Sequence, residues 1–242
     1  MRELFLTKIR LSWYLKGFFV LYFVALLFLP RFEFTGAALT LFSVNSFLYG
    51  FYISPVLSAQ KSRIEELHRI VRSEANAIFA MMLLTRKFSA KNAEQVRNLF
   101  DQYVMHSIQG DATKEKQEKV YEQLITLSID HKGVDSDNFN ILLDKLVTNQ
   151  QNRTNLSMQL NNRVYSNEWW IMMILFSITL SFILLIDTGE TIVIKLVTAL
   201  LCTGLSMLVL NLVKLNSLTH KKAKQIWLPF KTLVDTKYYR ID

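Results

Sequence analysis

The apolar positions fall in four blocks, two early in the chain and two late, and a long polar stretch with helical periodicity separates the pairs. The first block, residues 17–30 (GFFVLYFVALLFLP), is short for a membrane span of about 20 residues. Residues 11–16 supply the missing length, with Trp13 and Tyr14 as interfacial aromatics and Lys16 reaching its ammonium towards the surface. The second block, residues 36–57, has no formal charge, although Thr40, Ser43, Asn45, Ser46 and Ser54 lie along it. The third, residues 169–186, opens on the pair Trp169–Trp170, and the fourth, residues 192–213, carries Lys195 near its start. Residues 187–190 make a tight link between the last two.

A basic start followed by a short apolar core also describes a signal peptide. The sequence RFEFTG after Pro30 offers no small-x-small cleavage site, and another apolar block follows at once. The first block is therefore read as a span.

Between the pairs, Ile64, Leu67, Val71, Ile78 and Met82 recur at three, four or seven residues. This predicts an amphipathic helix over residues 61–85, continuing out of the second span. A second helix is predicted over residues 92–108, with Val96, Leu99, Phe100 and Val104 inward. QGDAT breaks it. A third covers residues 114–129 and ends at HKGVDSD. A fourth starts near Asp137, carries Phe139, Leu142, Leu143, Leu146 and Leu156, and is expected to run through Asn167 into the third span. No segment alternates as a strand does, and 7 Gly and 3 Pro are too few for a loop-rich fold.

The predicted fold is all-α: four transmembrane helices in two hairpins, with a cytoplasmic helical domain inserted between spans 2 and 3. An arm and the first hairpin (spans 11–30 and 36–57) occupy residues 1–60. The helical domain is residues 61–168, the second hairpin 169–214, and a basic tail 215–242. The short links at residues 31–35 and 187–190 hold one basic residue and three acidic ones, Glu33, Asp187 and Glu190, whereas both ends of the chain are basic. The positive-inside rule places both termini and the helical domain in the cytoplasm, with the spans in the inner (plasma) membrane. On that topology the sequons at Asn152 and Asn155 have no meaning.

Composition changes this picture little. The formal net charge is +8, which in a soluble chain would raise nucleic-acid binding. The excess sits in juxtamembrane segments while the middle is nearly balanced, so the basic residues are read as topology signals and lipid contacts, and no nucleic acid is expected. Lys221, Lys222 and Lys224 are the expected lipid-contacting cations of the tail. The single cysteine, Cys202, lies inside an apolar block and allows no intrachain disulfide.

Catalytic signatures are missing. There is no phosphate loop, HExxH, paired CxxC or GxSxG elbow, and His68, His106, His131 and His220 sit at no metal-ligand spacing. DSDNFN at residues 135–140 lacks the Gly and Glu of a calcium loop and reads as a cluster of helix-start residues. His131 beside Asp130 reads as a solvated loop. No enzyme, cofactor or metal is expected.

The informative block is the second. Ser43, Phe47 and Phe51 fall at i, i+4 and i+8 on one helical stripe, and Ser46, Gly50 and Ser54 form an adjacent stripe of small residues. Such a surface suits close helix packing. It also suits a pore-lining helix, with Phe47 and Phe51 as a hydrophobic constriction and Asn45 and Ser46 offering polar contacts to an ion. Tyr52 completes this set of pore-lining or packing positions.

The segment SFLYGFY, residues 46–52, is similar to the neck helix of bestrophin anion channels, where Ser-Phe, two apolar residues and Gly-Phe-Tyr occur in that order. Two spans, a helical region and two more spans match that family's layout. EANAI at residues 74–78 and the later QYVMHSI resemble bacterial bestrophin-like domains of unassigned function. The resemblance implies a homopentamer with a central pore passing inorganic ions, anions in the first place. Its neck would be lined by Ser43, Phe47 and Phe51. Two departures stand out. The first neck position is usually a larger apolar residue followed by Pro, and here it is Ser43 followed by Val44. The acidic calcium-binding run after the fourth span is replaced by HKKAKQ, residues 220–225. The other reading is a non-conducting membrane sensor or scaffold whose helical domain binds a protein partner.

Overall fold

The computed structural model describes residues 10–109, 114–187, 191–219 and 225–235. These residues are helical almost throughout. The helices are α1 (Leu11–Phe28), α2 (Gly36–Leu84), α3 (Ala90–Gln109), α4 (Lys114–Asp130), α5 (Ser136–Asn161), α6 (Ser166–Leu185), α7 (Ile192–Asn216) and α8 (Leu228–Asp235). A 3-10 turn, Thr85–Lys87, follows α2. Four helical stretches are long and apolar enough to cross a membrane. The chain divides into two compact units, Met1–Ser62 with Arg163–Ala223, and Arg63–Asn162 with Lys224–Asp242.

In the first unit α1 packs most extensively along α7. The contact face of α7 is small or hydroxylated: Ala199, Cys202, Thr203 and Ser206 are buried, and Tyr22 of α1 hydrogen-bonds the Ser206 hydroxyl at 2.5 Å. Small residues at helical spacing let two backbones approach closely where lipid removes any hydrophobic drive for helices to associate. Tyr22, Leu26, Ala199 and Cys202 form the core of this contact, with Phe18, Phe19 and Phe23 packed around it. Val193, Val197, Leu200 and Leu201 of α7, like Val20, Leu21 and Val24 of α1, are exposed. Oily residues outside and small polar ones inside is the reverse of a water-soluble bundle, and so continuous an apolar surface marks a lipid-facing one.

The hydroxyls in these helices cost little because they bond their own backbone. Thr198, Thr203 and Ser177 donate to the carbonyls of Ile194, Ala199 and Met173, four residues back. At one end the two short links are stitched together. Phe32 N–H donates to Leu185 O at 2.9 Å, Asp187 N–H donates to Phe32 O at 3.0 Å, and the Arg31 guanidinium lies 3.9 Å from the Asp187 carboxylate.

The second unit has an ordinary hydrophobic core. α2 contributes Leu67, Val71, Ile78 and Met81 to it, α3 Val96, Phe100 and Val104, α4 Tyr121 and Leu124, and α5 Phe139, Leu142 and Leu146. Full burial of each such side chain is worth about 1.5–3 kcal/mol. Arg63 closes the last turn of α5, donating to Gln159 O at 2.7 Å and Leu160 O at 2.8 Å. That is the placement the carbonyl end of a helix favours for a cation.

One expectation is corrected and another is refined. The helix over α5 does not run on into the third span. It ends at Asn161, residues 162–165 are non-helical, and α6 restarts at Ser166. Two side chains satisfy backbone groups in the break: Asn216 accepts from Val164 N–H at 2.9 Å, and Glu168 accepts from Tyr165 N–H at 3.3 Å. Asp135 stands at the N-cap position of α5, so DSDNFN does mark a helix start, but its side chain makes no capping bond there. Its Oδ2 accepts from Ser89 N–H at 2.9 Å, Ser89 Oγ at 2.7 Å and Asn92 Nδ2 at 2.7 Å, at the entrance to α3. His131 packs its ring 4.1 Å from that of Phe139.

The donors from Ser89 and Asn92 hold the Asp135 carboxyl below its ordinary range. A depressed folded-state value contributes stability that is present above the unfolded carboxylate pKa and is lost as pH falls through the folded one. Resistance to chemical unfolding in detergent should therefore fall in acid, and Asp135→Asn should flatten that dependence below the usual aspartate range while lowering stability at neutral pH.

Candidate functional site

The exposed side of α2 within residues 36–62 is the surface that the sequence pattern singles out. Phe47 and Phe51 are 69% and 70% exposed, and their rings stack with centroids 6.0 Å apart. Ser43, Gly50 and Ser54 are exposed on neighbouring positions, and nothing lies within 4 Å of where a Cβ on Gly50 would stand. Val44 and Leu48, and Leu39 and Leu41 nearer the start of the helix, are exposed as well. The spacing of four residues explains the ring stack, since side chains at i and i+4 of a helix lie one above the other.

The other side of α2 is closed by its own unit. Tyr49 and Ile53 are buried with Met172, Val164 and Leu212, and Tyr52, Val56 and Leu57 pack around them. Phe42 stacks on Phe182 of α6 at 5.4 Å, and Tyr49 tilts against Phe176 at 6.0 Å. Asn45 turns to this side. Its Nδ2 donates to Thr179 Oγ1 at 2.8 Å and to Leu175 O at 3.1 Å, and Thr179 in turn donates to Leu175 O at 2.9 Å. The penalty decides this placement more than the bond does. An amide left unpaired in hydrocarbon costs several kcal/mol, whereas an interhelical hydrogen bond in a membrane contributes only about 0.6 kcal/mol on average. Ser46 is half-buried, with its hydroxyl oxygen covered and unpaired.

The structure thus separates the set that the pattern put together. Ser43, Phe47, Phe51, Gly50 and Ser54 share open surface, while Asn45 and Tyr52 pack inward. Both Asn45 N–H donors are used by α6. Lys221, Lys222 and Lys224 lie outside the described residues.

A family model described as a bestrophin-like domain matches residues 16–218. The chain belongs to the bestrophin-like family. No curated protein and no solved structure matches it. The family match runs through all four apolar helices of this bestrophin-like chain and includes the open surface of α2.

One group escaped the sequence pattern. Glu74 lies on the buried stripe of α2, three residues after Val71 and four before Ile78, with no exposed surface. A charged residue in register with an apolar stripe was the available signal. Among the described residues no cluster of three or more potential metal ligands occurs.

The Asn45–Thr179 contact can be measured directly. A double-mutant cycle with Asn45→Ala and Thr179→Ala, read by unfolding in detergent, should give a coupling of about 0.6 kcal/mol and at most about 1.7 kcal/mol. A coupling near zero would mean that the two helices do not pack through this pair.

Proposed function

We propose that this bestrophin-like chain is the subunit of an ion channel in which copies of α2 surround an axis. Ser43, Phe47 and Phe51 line its neck. The observation that carries this reading is the composition of the open side of α2. The exposed positions of α1 and α7 are mostly Leu, Val and Ile, whereas on α2 two stacked Phe rings stand with Ser43, Gly50 and Ser54 beside Val44 and Leu48. Small and hydroxylated residues let like helices approach one another, and two levels of Phe give a constriction narrow and apolar enough to gate by dewetting. With Asn45 committed to α6, the neck is hydrophobic at its lower levels and wettable at Ser43.

In this reading the subunits assemble as a homopentamer in the plasma membrane, with the spans forming two hairpins. The helical domain of residues 61–168 and both termini face the cytoplasm. The basic residues near the termini, including Lys221, Lys222 and Lys224, contact anionic lipid and bias the cytoplasmic mouth towards anions. A channel role also agrees with the absence of catalytic signatures in the sequence.

Ion flux through purified protein in liposomes tests the proposal. Either wild type conducts, or Phe47→Ala combined with Phe51→Ala opens a flux several-fold above it. If neither conducts while both assemble normally, the channel reading falls.

A further inference from the structure

Glu74 is fully buried in the second unit. The Tyr103 hydroxyl donates to its Oε1, while Oε2 is covered and has no hydrogen-bond partner. A buried carboxylate oxygen without a donor is unfavourable, and natural cores retain very few. Burial raises the Glu74 carboxyl above its ordinary range, against the opposing effects of the Tyr103 bond and the Arg153 charge.

Glu74 also forms part of the wall of a cavity of about 440 Å3, within the size range of small-ligand sites. Tyr103, which satisfies Oε1, is not in that wall, and Oε2 has no donor but stays covered until a wall side chain moves. Tyr121, Trp227 and Arg153 line the cavity too, as do the exposed residues Glu118 and Glu122. Arg153 is already engaged. Its guanidinium lies 3.9 Å from the Tyr121 ring centre and donates to Gln150 Oε1 at 2.9 Å. Three carboxyl groups against one committed guanidinium leave the wall with surplus negative charge beside two aromatic rings.

We propose that this cavity binds a small organic ammonium ion, whose N–H groups donate to Glu74 Oε2 and whose hydrocarbon part lies against Tyr121 and Trp227. Aromatic faces attract such cations as well as their hydrocarbon. Arg153, only half-buried, is the wall residue that turns aside to admit it. The site lies within the second unit and does not depend on conduction by the first.

Calorimetric titration of the full chain in detergent with n-butylammonium, and with butyrate as the control of opposite charge, tests this. Butylammonium should bind saturably, with a dissociation constant on the order of 1 mM for so small a ligand. Binding should release a proton in mildly acidic buffer, because a cation against Glu74 lowers its raised pKa. Glu74→Gln should weaken binding about tenfold or more and abolish the proton release. Glu118→Gln with Glu122→Gln, on exposed positions, should weaken it several-fold. The proposal is overturned if butylammonium does not saturate, if butyrate binds more tightly, or if folded Glu74→Gln binds like wild type. Should Glu74→Gln fail to fold, unchanged affinity in the Glu118 and Glu122 pair overturns it.

Discussion

In hydrocarbon, each backbone amide of a span must find its hydrogen bond within its own helix, because no water is there to take it. Most of what the first unit does follows from that constraint. The spans are unbroken helices, and their hydroxyls fold back on carbonyls one turn earlier. Since lipid is as apolar as leucine, helices associate through shape and a few polar contacts. The Ala199, Cys202, Thr203 and Ser206 face of α7 and the Tyr22–Ser206 bond are contacts of that kind. The same constraint drives Asn45 off the open side of α2 and into the groove beside Thr179.

The second unit obeys the opposite solvent rule. Its apolar stripes turn inward, its helix ends are tied by side chains such as Arg63 and Asp135, and its surface is charged. Against that background Glu74 is the exception. A carboxyl placed among Leu67, Val71 and Ile78 costs desolvation that Tyr103 offsets at one oxygen only. Polar groups held incompletely satisfied inside a packed core tend to mark sites where something else binds or a proton moves. In the first unit the equivalent tension is on the outside, where Phe47 and Phe51 remain open beside serines and glycine.

Much of this was legible from the order of residues. Apolar runs at or near span length announced the four apolar helices, and recurrence at three, four and seven residues announced α3, α4 and the later half of α2, because both signals are local. The motif SFLYGFY pointed to the family that the match over residues 16–218 establishes. The stripe of Ser43, Phe47 and Phe51 was visible as well, since i and i+4 positions share a face whatever surrounds them.

What tertiary structure alone decided was the choice of partners. Periodicity says which side of α2 is apolar, but not which side its own bundle covers. Only the packing of Tyr49, Ile53 and Asn45 against neighbouring helices settles that Phe47 and Phe51 stay open. The break at residues 162–165 escaped the pattern, because Asn216, 52 residues away from Val164, supplies an acceptor there. Asp135 serving α3, α1 lying along α7, and a cavity floored by Glu74 are likewise contacts between residues distant in sequence. Sequence by itself determined the elements, because they depend on neighbours a turn apart. Structure decided the partners, because complementary shape and hydrogen-bond satisfaction exist only once the elements meet.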